Sequence, residues 1–470
     1  METKTHKFPK NVREGLANDK LQAALAKLGQ GFPVKRLEAM ARLPEFEQLR
    51  DDARAIKEHT LANLGDYLER YEAKVIESGG HVHWAANAAE ACEIILKICQ
   101  DADAKTVTKG KSMLSEEIAL NDYLDKNGVQ PIETDLGEYI IQLRGEAPSH
   151  IIAPAIHLSK EQVEETFRKE HTELPEERNL EEPRALLEEA RAMLRRKFIA
   201  ADVGITGANM LIAETGTSMI VTNEGNGDLT QTLPKTHIAI ASIEKVVPTL
   251  EDATTILRVL ARSATGQESA VYNTFSTGPR RADDLDGPEN YHVVLLDNGR
   301  SEMLGGEFHD MLRCIRCAAC LNHCPVYKAI GGHAYGWVYS GPMGAVLIPG
   351  LIGLADAHDL PGASTFCGKC EEVCPMRIPL PQLLRSWRQK GFEAGLGSVK
   401  IRTGLRLWAF LARRPALYRP LMNLALGILS LFGSKGRFGS LPLAGGWTAV
   451  RDLAAPEGRT FLSQWKGGKR

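Results

Sequence analysis

The 470-residue chain lacks most of what would place it outside the soluble, globular class. Its longest apolar stretch near the C-terminus, LMNLALGILSLFG (421–433), is 13 residues, whereas a bilayer-spanning helix needs about 20. Its net charge is only −2, which argues against electrostatic binding of nucleic acid. The opening METKTHKFPKNVREG has no charged region followed by an apolar one, so no secretory signal is expected. Cysteine is scarce: there are nine, and seven of them lie between Cys314 and Cys374. A disulfide framework would spread its cysteines along the chain. Crowding of this kind, in a chain read as intracellular, points to metal.

Length excludes a single ordinary core and predicts two or three domains. Residues 1–75 are polar and rich in Lys, Glu, Leu and Ala, with helical periodicity (LQAALAKL, DYLERYEAKVIESGG), and read as an N-terminal helical segment leading into a domain. Residues 76–300 alternate strand and helix. AAEACEIILKICQ is helical, KTVTKG is strand-like, and SEEIALNDYLDKNG is a helix stopped at Asn127-Gly128. VQPIETDLGEYIIQL and SHIIAPAIH read as apolar strands, MLIAETGTSMIVT as a hairpin, and HIAIASI and YHVVLLDNG as strands. Such alternation predicts an α/β domain with a mostly parallel sheet. Residues 301–395 hold the clustered cysteines. Residues 396–470 form a basic, apolar C-terminal helical segment; from Arg385 to Arg451 twelve Lys or Arg face one acid, Glu393. That segment reads either as packed helix with a solvated basic face or as a membrane-surface or partner-docking helix.

The chemistry sits in the cysteines. Cys314-Ile-Arg-Cys317-Ala-Ala-Cys320-Leu-Asn-His-Cys324-Pro325 is a complete C-x2-C-x2-C-x3-C-P run. In this spacing three thiolates wrap one iron–sulfur cube and the cysteine before proline serves a second one. Zinc needs only four ligands and has no use for the triple step. The partner run is STFCGKCEEVCP (364–375), in which Cys367, Cys370 and Cys374 take the last three positions and Ser364 stands where the first cysteine belongs. By the crossed rule Cys314, Cys317, Cys320 and Cys374 complete one [4Fe–4S] cluster, and Cys324, Cys367 and Cys370 leave the other one thiolate short. Ser364 is then a fourth ligand or a helix cap, and the second cluster is a cube with an open iron or a [3Fe–4S] cluster. Cys92 and Cys99, seven apart in AACEIILKIC, read as core packing. His309 and His333 read as structural.

The paired runs, the linking IGGHAYGWVYSGPMG and the following EEVCPMRIPLPQLL resemble the lactate-utilisation iron–sulfur protein B family. The resemblance extends upstream through KGKSMLSEEIALN, ETDLGEYIIQL, PSHIIAPAIH and GANMLIAETGTSMIVTNEGNG, and downstream to APEGRTFLSQW. It implies a cytoplasmic electron-transfer subunit that, with companion subunits and redox donor and acceptor proteins, takes part in oxidising L-lactate to pyruvate. It also implies two [4Fe–4S] clusters on the seven cysteines, the serine included in the pattern. For residues 76–300 it implies the fold of sugar-phosphate isomerases and CoA transferases, followed by a helical ferredoxin-like two-cluster domain.

Within the α/β part the most site-like stretch is Glu214-Thr215-Gly216-Thr217, followed by Asn223-Glu224-Gly225-Asn226-Gly227. Glycines and hydroxyls at strand ends present N–H groups to a carboxylate or phosphate, and tight hairpin turns explain the same residues. Asp135, Glu138 and Glu214 are acid–base candidates that one sequence does not choose between. No flavin or nicotinamide fingerprint is visible. Two functions are therefore expected to compete: an electron relay, and an open-iron Lewis acid acting on a hydroxy-acid, with a redox sensor as a further alternative. Peripheral contact with the inner face of a membrane through residues 396–470 is the localisation alternative to a purely cytoplasmic protein.

Overall fold

The structure is a computed structural model that describes residues 3–432, 435–441, 448 and 451–466. Gly433, at the end of the apolar C-terminal stretch, lies outside the described residues, as do 434, 442–447, 449–450 and 467–470. The chain divides into two compact units, Met1–Gly391 and Phe392–Arg470.

The first unit is built on a six-stranded sheet whose neighbouring strands all run parallel. Its strands are β1 (His81–Ala85), β2 (Thr106–Lys109), β3 (Gln130–Glu133), β4 (Val203–Gly207), β7 (Thr236–Ser242) and β10 (Asn290–Leu296), in the order β1-β10-β7-β4-β2-β3. A parallel sheet is covered on both faces, so its strands read as continuous apolar runs. β7 shows how this works. Ile238 and Ile240 enter a core with Ala91, Cys92, Ile95 and Cys99 of helix Ala88–Asp101. Ala239 and Ala241 enter another with Leu64, Leu68, Tyr71 and Val75 of helix Leu64–Glu77. Cys92 and Cys99, 2% and 0% exposed, are small hydrophobes in this packing. Gly204 on β4 is required by close approach, since a Cβ there would lie 1.8 Å from the Thr230 carbonyl oxygen.

A second sheet of four strands contains β5 (Met210–Ile212), β6 (Thr217–Thr222), β8 (Val246–Val247) and β9 (Tyr272–Ser276), in the order β8-β5-β6-β9. The β5–β6 hairpin forms as expected, antiparallel from Met210↔Met219 to Ile212↔Thr217.

Of two further expected strands, one forms only in part and the other not at all. In VQPIETDLGEYIIQL only Gln130–Glu133 is strand; Leu136–Arg144 is helix. Asp135 caps it by accepting from Gly137 and Glu138 N–H, and Gly145 closes it at φ 63°. SHIIAPAIH is a loop held by side chains rather than by a ladder. His150 Nε2 bonds Asn322 Oδ1 at 2.9 Å, and its Nδ1 accepts from Ile152 and Ala153 N–H. Tyr327 Oη donates to the Ser149 carbonyl at 2.7 Å. Gly332 of IGGHAYG packs so closely on this loop that a Cβ would lie 1.7 Å from the Ser149 oxygen. The loop thus serves as the seat of the cysteine segment.

The N-terminal helices also do more than lead into a domain. Helix Phe46–Ala62 and its neighbour Phe32–Ala41 grip the second cysteine run. Arg50, 4% exposed, donates to the Cys374 and Glu372 carbonyls, each at 2.7 Å, and Arg36 donates to the Val373 carbonyl at 3.1 Å. Asp51 accepts from Arg377 at 2.7 Å, and Glu58 pairs with Arg313.

The second unit contains helices Val399–Ala412 and Pro415–Ser430, neither with a buried residue, and a two-residue antiparallel pairing of Arg437–Phe438 with Leu453–Ala454. Among the described residues no helix is long and apolar enough to cross a membrane.

Candidate metal centres

The two cysteine runs fold into loops of the same conformation. Arg316 (φ 60°) and Ala318 (φ 62°) flank Cys317, and Phe366 (φ 54°) and Gly368 (φ 79°) flank Cys367. A left-handed residue on each side of a cysteine turns successive backbone N–H groups toward one concavity, which suits an anionic or sulfide-bearing group. Each non-glycine residue held there costs about 1–2 kcal/mol, a strain that persists only where the surroundings over-determine it. The match makes Cys317 the counterpart of Cys367, and therefore Cys314 the counterpart of Ser364.

The cysteines separate into two groups. Cys314, Cys317, Cys320 and Cys374 line one small cavity, walled otherwise by Arg316 and by apolar residues such as Ile315, Met343 and Ile378. The Cys317 thiol is pushed up by burial and then by Cys374 and Cys314, and the Cys374 thiol to about 11 by burial, with Cys314 adding to it. Cys324, Cys367 and Cys370 form the other group. Burial raises Cys324 and carries Cys370 to about 12; Cys367 adds to the first, and Cys324 and Cys367 to the second. Cys320, raised well above the usual thiol range by burial and by its own group, also feels Cys370, so the groups adjoin on that side. Among the described residues no three His, Cys, Asp or Glu side chains converge on one ion. The thiolates of a cube each take a separate iron, so they need not converge.

The groups differ in exposure. All four members of the first are buried or half-buried, whereas Cys367 of the second is exposed, as is its neighbour Phe366 at 37%. Ser364 is half-buried, and its Oγ accepts from Phe366 N–H at 3.1 Å. It does not cap the helix of its run, which begins at Lys369 with Gly368 at the cap position. It closes the turn ahead of Cys367. His309 and His333 bond the Gly306 and Ala147 carbonyls, at 3.2 and 2.7 Å.

A larger cavity of about 340 Å³ lies between the parallel sheet and the first cysteine loop. Arg316, Cys317 and Tyr339 line it from the loop side; Lys111, Asp135 and Asn226 are among its residues on the α/β side. Glu214, Thr215, Gly216 and Thr217 do not line it. They make the tight β5–β6 turn, where Gly216 (φ 69°) packs against Val75 and Lys74, and the Thr217 hydroxyl bonds Thr215 and Thr277 at 2.7 and 2.6 Å. From the site-like stretch, it is the second part, Asn223, Glu224, Asn226 and Gly227, that reaches the cavity.

Sequence reasoning missed Lys111, Lys245 and Arg316, for which no motif speaks. Behind the cavity wall lies a buried ionic network. Glu117 accepts from Arg300 Nη2 at 2.7 Å and from Tyr339 Oη at 2.6 Å, and Glu244 meets Arg300 at 3.1 Å and Arg316 at 3.4 Å. Burial opposes ionisation of Glu244, but Arg300, Arg316 and Lys245 hold its carboxyl down at about 2.

Residues 68–296 match the LUD domain and residues 310–378 the 4Fe-4S dicluster domain. The chain is 43% identical over 465 residues to lactate utilization protein B of Bacillus licheniformis, covering 98% of this chain and 96% of that one. It is 44% identical over 471 residues to the protein of the same name from Geobacillus kaustophilus, covering 98% of each. An uncharacterized electron transport protein, YkgF, of Escherichia coli is 40% identical over 470 residues, covering 99% and 98%. A solved duf162 family protein from Deinococcus radiodurans superposes on half of the chain with a TM-score of 0.29 and 15% identity, too little to define the fold.

Proposed function

The chain belongs to the lactate utilization protein B family, and on that premise we propose that it is the iron–sulfur electron-transfer subunit of L-lactate oxidation to pyruvate. The cavity formed by Cys314, Cys317, Cys320 and Cys374 is the observation that carries this reading: two cysteines before residue 318, one at 320 and one from the other run meet at one apolar-walled site. These four would hold one [4Fe–4S] cluster, and Cys324, Cys367 and Cys370 the other. When bound, such clusters accept and release single electrons.

The residues set a direction. The first site lies inside the protein, and the second reaches the surface at Cys367. Cys320 and Cys370 bring the two sites side by side. The exposed site is then where a redox partner protein docks. The Lewis-acid alternative would require the open-iron site to face a substrate cavity. The 340 Å³ cavity is lined by Cys317 and by none of Cys324, Cys367 and Cys370, which favours the relay. Hydride removal from lactate falls to a companion subunit.

The finer readings belong to the same proposal: an isomerase/CoA-transferase-like fold for 76–300, a ferredoxin-like module for 301–395, and a cytoplasmic protein whose C-terminal unit rests on a membrane surface. For that unit the support is its composition. Leu405, Trp408 and Leu424 are 49%, 59% and 61% exposed beside Arg402, Arg406 and Arg413, the pattern of an interfacial helix. Sedimentation with anionic vesicles and release at high salt would support it; equal binding to zwitterionic vesicles or none would remove it.

Electron paramagnetic resonance with iron and sulfide analysis tests the core proposal on anaerobically purified protein. About eight irons and two coupled reduced-state signals are expected for two cubes. About seven irons and a paramagnetic signal already present in the oxidised protein would assign [3Fe–4S] to the second site. Fewer than four irons would refute the relay.

A further inference from the structure

Cations crowd the first cysteine site from the N-terminal side: Arg36, Arg50, Lys57 and Arg313 are all buried. Two of them, Arg36 and Lys57, meet no carboxylate among the described residues. Arg36, on helix Phe32–Ala41, is 3% exposed. Its Nη2 donates to the Val373 carbonyl, its guanidinium lies over the Phe46 ring at 5.8 Å, and its Nε has no hydrogen-bond partner among the described residues. Lys57, on helix Phe46–Ala62, is also 3% exposed, and its Nζ donates to the backbone carbonyls of Glu244 and Val246. The carboxylates of the neighbourhood are held by other cations. Glu47 is shared by Arg50 and Arg377, Glu372 holds Lys369, Glu58 and Asp310 hold Arg313, and Glu244 is shared by Arg300 and Arg316.

A cation withdrawn from water costs several kcal/mol unless an opposite charge lies close. A guanidinium does not escape by losing its proton. Burial and then Arg50 press on the charge of Arg36, and Cys317 leads the groups that support it, ahead of Glu47 and Glu372. Burial, with Lys245 and Arg316 adding to it, pulls Lys57 down to about 7, against Glu244 and Cys314. Lys245 differs from both in bordering the larger cavity, where it is half-buried. The anions that face Arg36 and Lys57 and are not already shared are therefore the thiolates of the first site.

We infer that Arg36 is the fixed counter-charge of the first iron–sulfur site, with Lys57 as its second, and that the two hold the midpoint of that site up. Four thiolates on a [4Fe–4S] core give a total charge of about −2, and about −3 once an electron is added. Burial penalises the added charge, and a cation in the weakly screening interior offsets that penalty. The other site reaches water at Cys367 and has solvent for the same purpose. The N-terminal helices thus keep the buried site reducible, so that an electron entering at the surface can pass inward. Arg36 and Lys57 touch no reacting atom; they are positioning residues that act through the charge they set in the field of Cys317 and Cys314. This role rests on the two-cluster reading proposed above, and iron content separates the failure of one from the failure of the other.

The test is anaerobic redox titration of the full, cluster-loaded chain, followed by electron paramagnetic resonance, with the exposed-site signal assigned by its alteration in Cys367→Ala. The unmodified protein is compared with Arg36→Gln, which keeps an amide donor and loses the charge, and with Arg36→Lys, which keeps the charge. Arg36→Gln should hold the same iron, and its first-site midpoint should move to more negative values by at least about a tenfold change in the reduction equilibrium, about 59 mV for one electron. Arg36→Lys should recover most of that shift, and the exposed site should move less in both variants. An unmoved first site, an equal shift at the exposed site, or an Arg36→Lys chain as shifted as Arg36→Gln would each overturn the role, the last by marking Arg36 as a clamp on the Val373 carbonyl alone. If Arg36→Gln fails to load iron, Lys57→Met decides instead: its first-site midpoint should fall, and an unchanged one overturns the role. An unmodified chain without iron would refute the two-cluster reading and the role with it, whereas two loaded sites with unmoved midpoints refute the role alone.

Discussion

Replacing Cys374 with alanine separates a residue's place in the chain from its place in a site. Cys374 stands in the second run, yet its thiol lines the cavity of Cys314, Cys317 and Cys320. Its loop is held independently of its sulfur. Arg50 donates to the carbonyls of Cys374 and Glu372, and Arg36 to that of Val373. Hydrogen bonds from charged donors contribute roughly 1.5–3 kcal/mol each, so three of them keep on the order of 5 kcal/mol of anchoring. Losing one buried sulfur, about the size of a methylene, removes roughly 1 kcal/mol of packing. The loop therefore stays folded while the first site drops from four thiolates to three. With three thiolates left, as in the second site, the first cluster should lose its fourth iron, so iron should fall from about eight to about seven per chain and the signal of the first site should change while that of the exposed site is retained. Cys367→Ala should do the reverse. Loss of the exposed-site signal in the Cys374 variant, or loss of both signals from a chain with unchanged circular dichroism, would refute the grouping.

Arg300→Met should be among the most damaging changes outside the cysteines. It removes a cation shared by two carboxylates, Glu117 and Glu244, in a network where Arg300 is 0% exposed; breaking a buried pair costs about 3–5 kcal/mol, readable as a lower urea midpoint, and a loss below about 1 kcal/mol would mean that Arg316 and Tyr339 suffice as partners. Stability should also fall between pH 7 and pH 5. Burial lowers His150 to about 4 and, with His292 adding to it, His237 to about 3, whereas in the unfolded chain each takes its proton near 6.5. Above pH 6.5 both are neutral in either state; as the pH drops the unfolded chain takes up protons that the folded one does not, which costs the fold about 2 kcal/mol for each at pH 5. His237→Gln should remove about 2 kcal/mol of the loss in urea titrations at the two pH values; an identical pH dependence in the variant would show that His237 is not buried neutral.

Much of the site was legible because its information is local. The triple step of Cys314, Cys317 and Cys320, and the echo of it in Cys367 and Cys370, specify a loop around a metal cluster whatever surrounds them. The parallel sheet was legible too, since β7 and β10 must be apolar on both faces. Where local pattern misled, a contact from far along the chain had decided. The SHIIAPAIH stretch looks like a strand by composition, but its backbone is satisfied by His150 and its position by Tyr327 and Gly332. Ser364 looks like a cap by residue type, but the helix starts too late for it to serve.

By itself the sequence pointed to iron–sulfur chemistry on seven clustered cysteines and to a parallel sheet, because ligand spacing and hydrophobic period are properties of neighbouring residues. Only the tertiary structure decided that Cys367 lies at the surface and that Lys245, Arg316 and Asn226 share one cavity. Those residues come from a loop after β7, a cysteine loop and a helix start, separated by up to 90 positions. No spacing rule connects them; the sheet, which buries apolar surface, brings them together.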